Sequence, residues 1–144
     1  MSKEESGEDK VNNLVVEIRI LESTYNELTS RQNLLERALI ENRSALEAIK
    51  GLGDKKGGEV LMQVGGGAML RSAPPKVDRV LVSVGADVVL EKSREEALSI
   101  LEERTKDVER SIVSIVGQRN EIKQRLEADQ EVLQTLVSST GQKG

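Results

Sequence analysis

Apolar residues recur at alternating spacings of three and four between Val11 and Ile49, which is the heptad repeat of a coiled-coil helix. The a and d positions of this repeat hold Val11, Ile18, Tyr25, Leu39 and Leu46, then Leu14, Leu21, Leu28, Leu35 and Ile49. A second repeat runs from Leu98 to Leu136. Polar residues interrupt the two repeats at Gln32, Asn42, Thr105, Arg119 and Asp129. Two such repeats in one chain predict two long helices of matching length.

Glycines and a capping pattern set the predicted ends of these helices. Gly51 and Gly53 follow the first repeat, and glycine ends helices because it frees the backbone to turn. Ser93 and Glu96 precede the second repeat with the spacing of a capping box. The predicted segments are a disordered acidic tail over residues 1–9, helices over 10–50 and 93–137, and a flexible tail over 138–144.

An antiparallel arrangement of the two helices brings the two repeats into one good register. When paired residue numbers add to about 147, most layers join two apolar residues, as with Leu21 and Leu126. Three layers place a polar residue opposite an apolar one, and we predict that these are looser or that their side chains turn outward: Gln32 with Ile115, Leu28 with Arg119, and Ile18 with Asp129. The same register predicts an attraction between Arg43 and Glu102.

The segment between the repeats is rich in valine and glycine, which predicts strands and tight turns. We predict two β-hairpins within residues 59–91, with strands over 60–64, 68–73, 79–84 and 88–91. Their turns fall at Gly65-Gly66-Gly67 and Gly85-Ala86-Asp87. The three glycines predict a turn rather than a phosphate loop, since no lysine with serine or threonine follows them. The Pro74-Pro75 pair separates the hairpins, because proline lacks a donor for a sheet.

Two isolated hairpins bury too little surface to be stable, and their strand edges are open. They could fold back over the helix bases, or assemble with other subunits into a larger sheet or barrel. We favour assembly because so much edge remains, and the predicted assembly residues are Val60, Leu61, Val64, Met69, Val80, Val82, Val84, Val88 and Leu90. The predicted fold class is mainly α with a small β part. It is a long antiparallel coiled-coil hairpin whose two central β-hairpins assemble into an oligomeric β-barrel platform.

The ends of the helical hairpin far from the strands carry more apolar residues than the repeats require. The additional residues are Val15, Val16, Ile20, Val132 and Val137. Contiguous exposed apolar surface usually marks an interaction site. Ordinary helix packing explains the pattern equally well, because Leu34, Ile40 and Val113 also lie outside the repeats.

Composition argues against most catalytic and nucleic-acid functions. The chain has no Cys and no His, which removes zinc clusters, thiol nucleophiles and imidazole chemistry, so we expect neither an enzyme nor a cofactor. A net charge of -4 without a basic block argues against nucleic-acid binding. No apolar run approaches the roughly 20 residues of a membrane span, and the polar start is unlike a signal peptide. We therefore expect a cytoplasmic protein without a membrane partner.

The central residues 60–104 carry a family resemblance, in the block VLMQVGGGAMLRSAPPKVDRVLVSVGADVVLEKSREEALSILEER. With its flanking repeats, this block resembles the alpha-type subunits of prefoldin, a chaperone of archaeal and eukaryotic cytosol. In that family the alpha type has two β-hairpins between its helices, and the beta type has one. The Pro74-Pro75 pair departs from the more polar connector that the family suggests.

The resemblance implies a hexamer of two alpha-type and four beta-type subunits, with coiled coils hanging from a double β-barrel platform. It implies that the coiled-coil tips hold unfolded client proteins and pass them to a group II chaperonin without ATP use. By location, the implied client-binding residues are Val11, Leu14, Val15, Ile18, Val132, Leu133, Leu136 and Val137. Two other functions stay open, a filament-forming structural relative and a coiled-coil adaptor for specific folded partners.

Overall fold

The computed structural model of the chain describes residues 6–141 as two long helices that flank four short strands. Helix α1 spans Gly7–Asp54 and helix α2 spans Arg94–Gly141, and each has 48 residues. Between them lie β1 (Val60–Gly65), β2 (Ala68–Ser72), β3 (Arg79–Gly85) and β4 (Val88–Ser93). The predicted fold class is confirmed, and so are two helices of matching length.

Both helices extend beyond their predicted ends. The Asp9 backbone N–H donates to Ser6 Oγ at 3.1 Å, so the capped α1 begins at Gly7, and residues 7–9 are helical rather than part of a tail. Glu8 and Asp9 in the first turn also favour the positive end of the helix dipole. Residues 1–5 of the predicted tail lie outside the described residues.

The other helix ends follow the same physical rules. At the start of α2, Ser93 Oγ accepts a hydrogen bond from the Glu96 backbone N–H at 3.2 Å, as a capping residue does. At the end of α1, Arg94 donates to the Lys50 carbonyl oxygen at 3.2 Å, so a side chain from the start of α2 binds the backbone near the end of α1. At its C-terminus α2 continues through residues 138–141, which we predicted to be a flexible tail. Residues 142–144 lie outside the described part of the chain.

The chain forms two compact units, one of residues 6–36 and 110–141 and one of residues 37–109. In the first unit the helices pair antiparallel, with Arg125 bound to Glu17 at 3.1 Å. Ile18, Leu21 and Leu28 are buried, with 8%, 4% and 7% of their surfaces exposed. The apolar stripe of α1 is therefore a packed seam in this unit.

Two of the layers that we predicted to be loose are well packed on the α1 side. Ile18 and Leu28 are buried, although polar Asp129 and Arg119 were placed opposite them. Arg119 is half-buried, and its guanidinium carbon lies 5.8 Å from the centroid of the Tyr25 ring. A guanidinium on an aromatic face is a favourable contact, so this arginine can stay over the seam rather than turn outward. The prediction of looseness is wrong for these two residues.

In the unit of residues 37–109, two ion pairs join the helices at equivalent flanking positions. Arg43 binds Glu109 at 2.9 Å, and Lys50 lies 3.6 Å from Glu102. The predicted attraction between Arg43 and Glu102 is wrong by one heptad. Helical side chains lean toward the N terminus of their own helix. In this antiparallel pair the side chains of Arg43 and Glu109 therefore lean toward each other, whereas Glu102 leans away.

The strands form two separate two-stranded antiparallel sheets, β1 with β2 and β3 with β4. Their bounds agree with the predicted strands to within two residues. Each hairpin turns through two residues of positive φ, Gly66 and Gly67 in the first, Ala86 and Asp87 in the second. Positive φ at both turn residues suits the right-handed twist of hairpin strands, which explains the glycines of the first turn.

The second hairpin is held against its own helix α2. Arg104 donates to the Ser83 carbonyl oxygen at 2.6 Å, and the Arg94 backbone N–H donates to the Asp78 carbonyl oxygen at 3.1 Å. Val82 of β3 and Ala97 of α2 are buried, with 5% and 0% exposed. These contacts give the β3–β4 hairpin one covered face and one open face.

Candidate functional site

The first candidate surface consists of the eight predicted client-binding residues, which we call the tip surface. Its members are Val11, Leu14, Val15, Ile18, Val132, Leu133, Leu136 and Val137, all in the unit of residues 6–36 and 110–141. Val132 and Val137 are half exposed, at 50% and 52%. Ile18 is the one buried member, so its side chain packs beneath the surface and is not accessible to a partner. The other five are partly exposed.

A shallow cavity of about 300 Å³ brings part of the tip surface together from both helices. Leu14, Val132 and Leu136 form its apolar lining. Lys10, Asn13 and Glu17 complete it with polar groups, and Glu17 is also the partner of Arg125. An apolar cavity with a polar rim suits one aliphatic or aromatic side chain of a partner, whose backbone could bind the rim groups.

Exposed apolar residues beside the tip surface extend it along α1. Val16 is 55% exposed and Ile20 is 60% exposed, and their spacing of four places them on one side of the helix. In the sequence, both residues lie outside the a and d positions of the heptad repeat. This placement is the signal that predicted their exposure. Leu34, Ile40 and Val113 show the same signal and are also exposed, so exposure alone does not single out the tip surface.

The second candidate surface is formed by the two β-hairpins, in the unit of residues 37–109. Most of the nine predicted assembly residues are exposed, among them Leu61, Val64 and Met69 of the first hairpin. Val60 and Val80 are half-buried, and Val82 is buried in the chain itself. Val82 therefore serves the packing of the second hairpin rather than a surface for other subunits.

Four exposed apolar strand residues were absent from the predicted set: Met62, Leu70, Leu81 and Val89. Leu81 is 72% exposed and lies on the face of the second hairpin opposite Val82, with Val89 on the neighbouring strand. Consecutive apolar residues, such as Leu81 between Val80 and Val82, were the signal that could have found them, because successive strand residues point to opposite faces. Because apolar residues occupy both faces, each hairpin has more apolar surface than one helix can cover.

Each hairpin also presents two open edges, because its sheet has two strands. Unpaired backbone N–H and C=O groups along such edges are ready to bind further strands. Open edges together with exposed apolar faces are what a subunit interface requires. Along residues 6–141 no helix is both long enough and apolar enough to cross a bilayer.

A pair of antiparallel helices that carries two open-edged β-hairpins defines a subunit that is built to assemble with other chains. The sequence model of the family described as "Prefoldin: Prefoldin subunit" matches residues 21–139. The prefoldin alpha subunit of Methanoculleus marisnigri is 33% identical, and the match covers 78% of this chain and 85% of that protein. The chain belongs to the prefoldin family, among subunits of the alpha type.

Two further similarities span most of the chain. The prefoldin alpha subunit of Nitrosopumilus maritimus is 26% identical over 95% of this chain and 94% of its own length. Among solved structures, a cryo-EM structure of filamentous PFD from Methanocaldococcus jannaschii is similar with a TM-score of 0.64 and 26% identity. That match covers 77% of this chain and 93% of the other. The family resemblance inferred from the central block is confirmed.

Proposed function

We propose that this chain is one subunit of a hetero-oligomeric holdase that binds non-native proteins through its tip surface. The observation that carries the proposal is the half-exposed pair Val132 and Val137 beside the apolar cavity with Leu14. These side chains are too exposed to be required for packing of the two helices. A non-native chain exposes the aliphatic and aromatic side chains that such a surface accepts.

The proposed mechanism is weak binding that is repeated over several subunits. Burial of the exposed half of one valine contributes roughly 1 kcal/mol, so a single tip surface holds a client only briefly. Several tip surfaces around one client raise the effective concentration, and the total affinity then exceeds that of any single contact. Because each contact is weak, the client can leave without ATP, and no cofactor is needed.

The proposed partners follow from the family. Two chains of this alpha type would join four beta-type subunits in a cytoplasmic hexamer through the β-hairpins, and the hexamer would deliver clients to a group II chaperonin. The open strand edges and the exposed residues Leu61, Leu81 and Val89 support a role of the hairpins in assembly. The chain itself would have no catalytic role.

Serine substitutions at half-exposed positions in and beside the tip surface, compared with substitutions at more exposed positions elsewhere, test the tip surface. One variant carries Val16→Ser, Val132→Ser and Val137→Ser, and a matched control carries Leu34→Ser, Ile40→Ser and Val113→Ser. Each is assembled with beta-type subunits, and light scattering then follows the aggregation of a denatured client protein. We expect the first variant to lose most of the suppression and the control to keep it. Equal suppression by the two variants would overturn the assignment.

A second candidate function is a structural filament, which the similarity to filamentous PFD and the open strand edges favour. In a filament the hairpins would join neighbours without closing into a defined complex. Size-exclusion chromatography with light scattering, with and without beta-type subunits, distinguishes the two functions. A single mass near that of a hexamer supports the holdase subunit, and a broad range of larger masses supports the filament.

A further inference from the structure

The two β-hairpins of this chain are copies of one pattern, placed 20 residues apart. Five residues are identical between the copies: Val60 and Val80, Leu61 and Leu81, Val64 and Val84, Gly65 and Gly85, and Leu70 and Leu90. The strand registers correspond as well, because Val60 pairs with Ser72 where Val80 pairs with Lys92. Each position in one hairpin therefore has an equivalent in the other.

One feature is reversed between the copies. It is the order of the two charged residues at the base of each hairpin, the end away from the turn. In the first hairpin Arg71 Nε lies 3.9 Å from a carboxylate oxygen of Glu59. In the second, Arg79 Nε lies 3.6 Å from a carboxylate oxygen of Glu91. These are equivalent positions with exchanged charges. The acid precedes the base along the chain in the first hairpin, and the base precedes the acid in the second.

The ion pairs lie where a neighbouring hairpin would meet them. All four charged side chains are more than half exposed. Arg79 and Glu91 join the two strands of their sheet, and Arg71 of β2 reaches Glu59, the residue just before β1. By strand alternation, Arg71 shares a face with exposed Met69, and Glu91 shares a face with exposed Val89. Each open edge of a hairpin therefore has a charge of defined sign beside an apolar patch.

The charge order determines which hairpins attract each other when they lie side by side. When hairpins follow one another with their turns at the same end, the second strand of one lies beside the first strand of the next. Between two first hairpins, Arg71 then lies near Glu59 of the neighbour, which is attractive. Between a first and a second hairpin, Arg71 meets Arg79, or Glu91 meets Glu59, and like charges on adjacent strands are destabilising.

The strand arrangement within the chain agrees with this charge preference. Strands β2 and β3 are consecutive, yet they do not pair, and the two hairpins remain separate sheets. Direct pairing of these strands would bring Arg71 and Arg79 together across the Pro74-Pro75 connection. The exposed edges of both hairpins are thus left for other chains.

We propose that charge order sorts the hairpins during assembly. The β1–β2 hairpin docks beside the β1–β2 hairpin of a second copy of this chain, and the β3–β4 hairpin docks beside β3–β4. This inference rests on the assembly role of the hairpins in the proposed function and assigns the neighbour of each one. Repulsion between unlike hairpins supplies the specificity, since the apolar residues of the two copies are too similar to do so.

Cysteine crosslinking of the full chain tests the sorting. The chain has no cysteine, so Gln63→Cys and Ser83→Cys place single thiols at equivalent exposed positions of the two hairpins. The two variants are mixed with different mass tags and treated with a short bismaleimide, and mass spectrometry counts the products. We expect like-hairpin crosslinks to exceed unlike ones by roughly fivefold or more, from one attractive contact in place of one repulsive contact.

A charge exchange that preserves the ion pair provides the decisive variant. Glu59→Arg with Arg71→Glu gives the first hairpin the charge order of the second, without removing its cross-strand pair. In the Gln63→Cys background, this hairpin should now crosslink to the unaltered second hairpin and avoid the unaltered first one. The added exchange Arg79→Glu with Glu91→Arg should restore the original preference.

The outcomes separate this inference from the proposed function. If the ratio of like-hairpin to unlike-hairpin crosslinks does not change with the charge exchanges, sorting by charge order is overturned. Assembly through the hairpins would be left intact. A chain that stays monomeric at all concentrations would overturn docking to a second copy and leave assembly of the hairpins with beta-type subunits intact. Neither result affects the serine test of the tip surface.

Discussion

The guanidinium group of Arg94 lies so close against Gly53 that a methyl group on this glycine would overlap it. From this position Arg94 Nη2 donates to the Lys50 carbonyl oxygen at 3.2 Å and lies 3.9 Å from Asp54 Oδ1. The first residue of α2 thereby holds the last turn of α1. Glycine at position 53 makes the close approach possible. Gly51, two residues earlier in the same helix, has open space around it.

Alanine substitutions at these two glycines should differ in their effect on stability. Gly51→Ala should raise the free energy of unfolding by about 0.5–1 kcal/mol, because alanine is the better helix residue. Gly53→Ala should lack this gain, because the new methyl displaces Arg94 from the Lys50 carbonyl. Urea unfolding followed by circular dichroism measures both. An equal gain at the two positions would show that the Arg94 contact contributes nothing.

The seam of α1 should depend on Leu21 far more than on an exposed leucine. Leu21 is 4% exposed, and Leu21→Ala should lower the free energy of unfolding by about 2–3 kcal/mol through lost burial and a cavity. Leu34, at 64% exposed, is the matched control, and Leu34→Ala should change stability by less than about 0.5 kcal/mol. Thermal unfolding at one protein concentration compares the two. Similar losses would contradict the assigned seam.

Asp129 should be a site where the seam can be strengthened. Its Oδ2 atom is buried and has no hydrogen-bond partner among residues 6–141, and a buried acceptor without a partner costs free energy. Asp129→Leu should raise the free energy of unfolding by about 1–2 kcal/mol, since it replaces that atom by apolar volume. The exposed neighbour Gln130→Leu is the control and should have little effect. A destabilised Asp129→Leu variant would mean that the carboxylate has a stabilising partner.

The docking of the second hairpin on α2 should be sensitive to volume at Ala97. Ala97 is fully buried, and Ala97→Leu should cost about 1–3 kcal/mol by overpacking and should loosen β3 and β4. Hydrogen exchange should then accelerate in strands β3 and β4 and remain unchanged in β1 and β2. Ser99→Leu on the exposed side of α2 is the control. Unchanged exchange in the second hairpin would refute its docking through this residue.

Periodicity was enough to predict the elements, because secondary structure follows from local pattern. Alternating spacings of three and four over many residues fit a coiled-coil helix, and the runs around Gly66 and Ala86 fit two hairpins. The helix ends were misplaced by a few residues, because the Ser6 cap and the Arg94 contact act across turns that no periodic signal marks. The sequence also contains the 20-residue repeat of the two hairpins. Finding it requires a position-by-position comparison of the hairpins rather than a search for periodic apolar residues.

The sequence by itself determined two amphipathic helices of equal length, two hairpins between them, and a chemistry without cysteine or histidine. Only the tertiary structure decided which residues are free to bind. We predicted that Ile18 contacts clients and that Val82 contacts other subunits, yet packing within the chain buries both, whereas Leu81 stays exposed. Burial and ion-pair partners depend on side-chain direction across two elements, and a one-dimensional pattern does not contain that information.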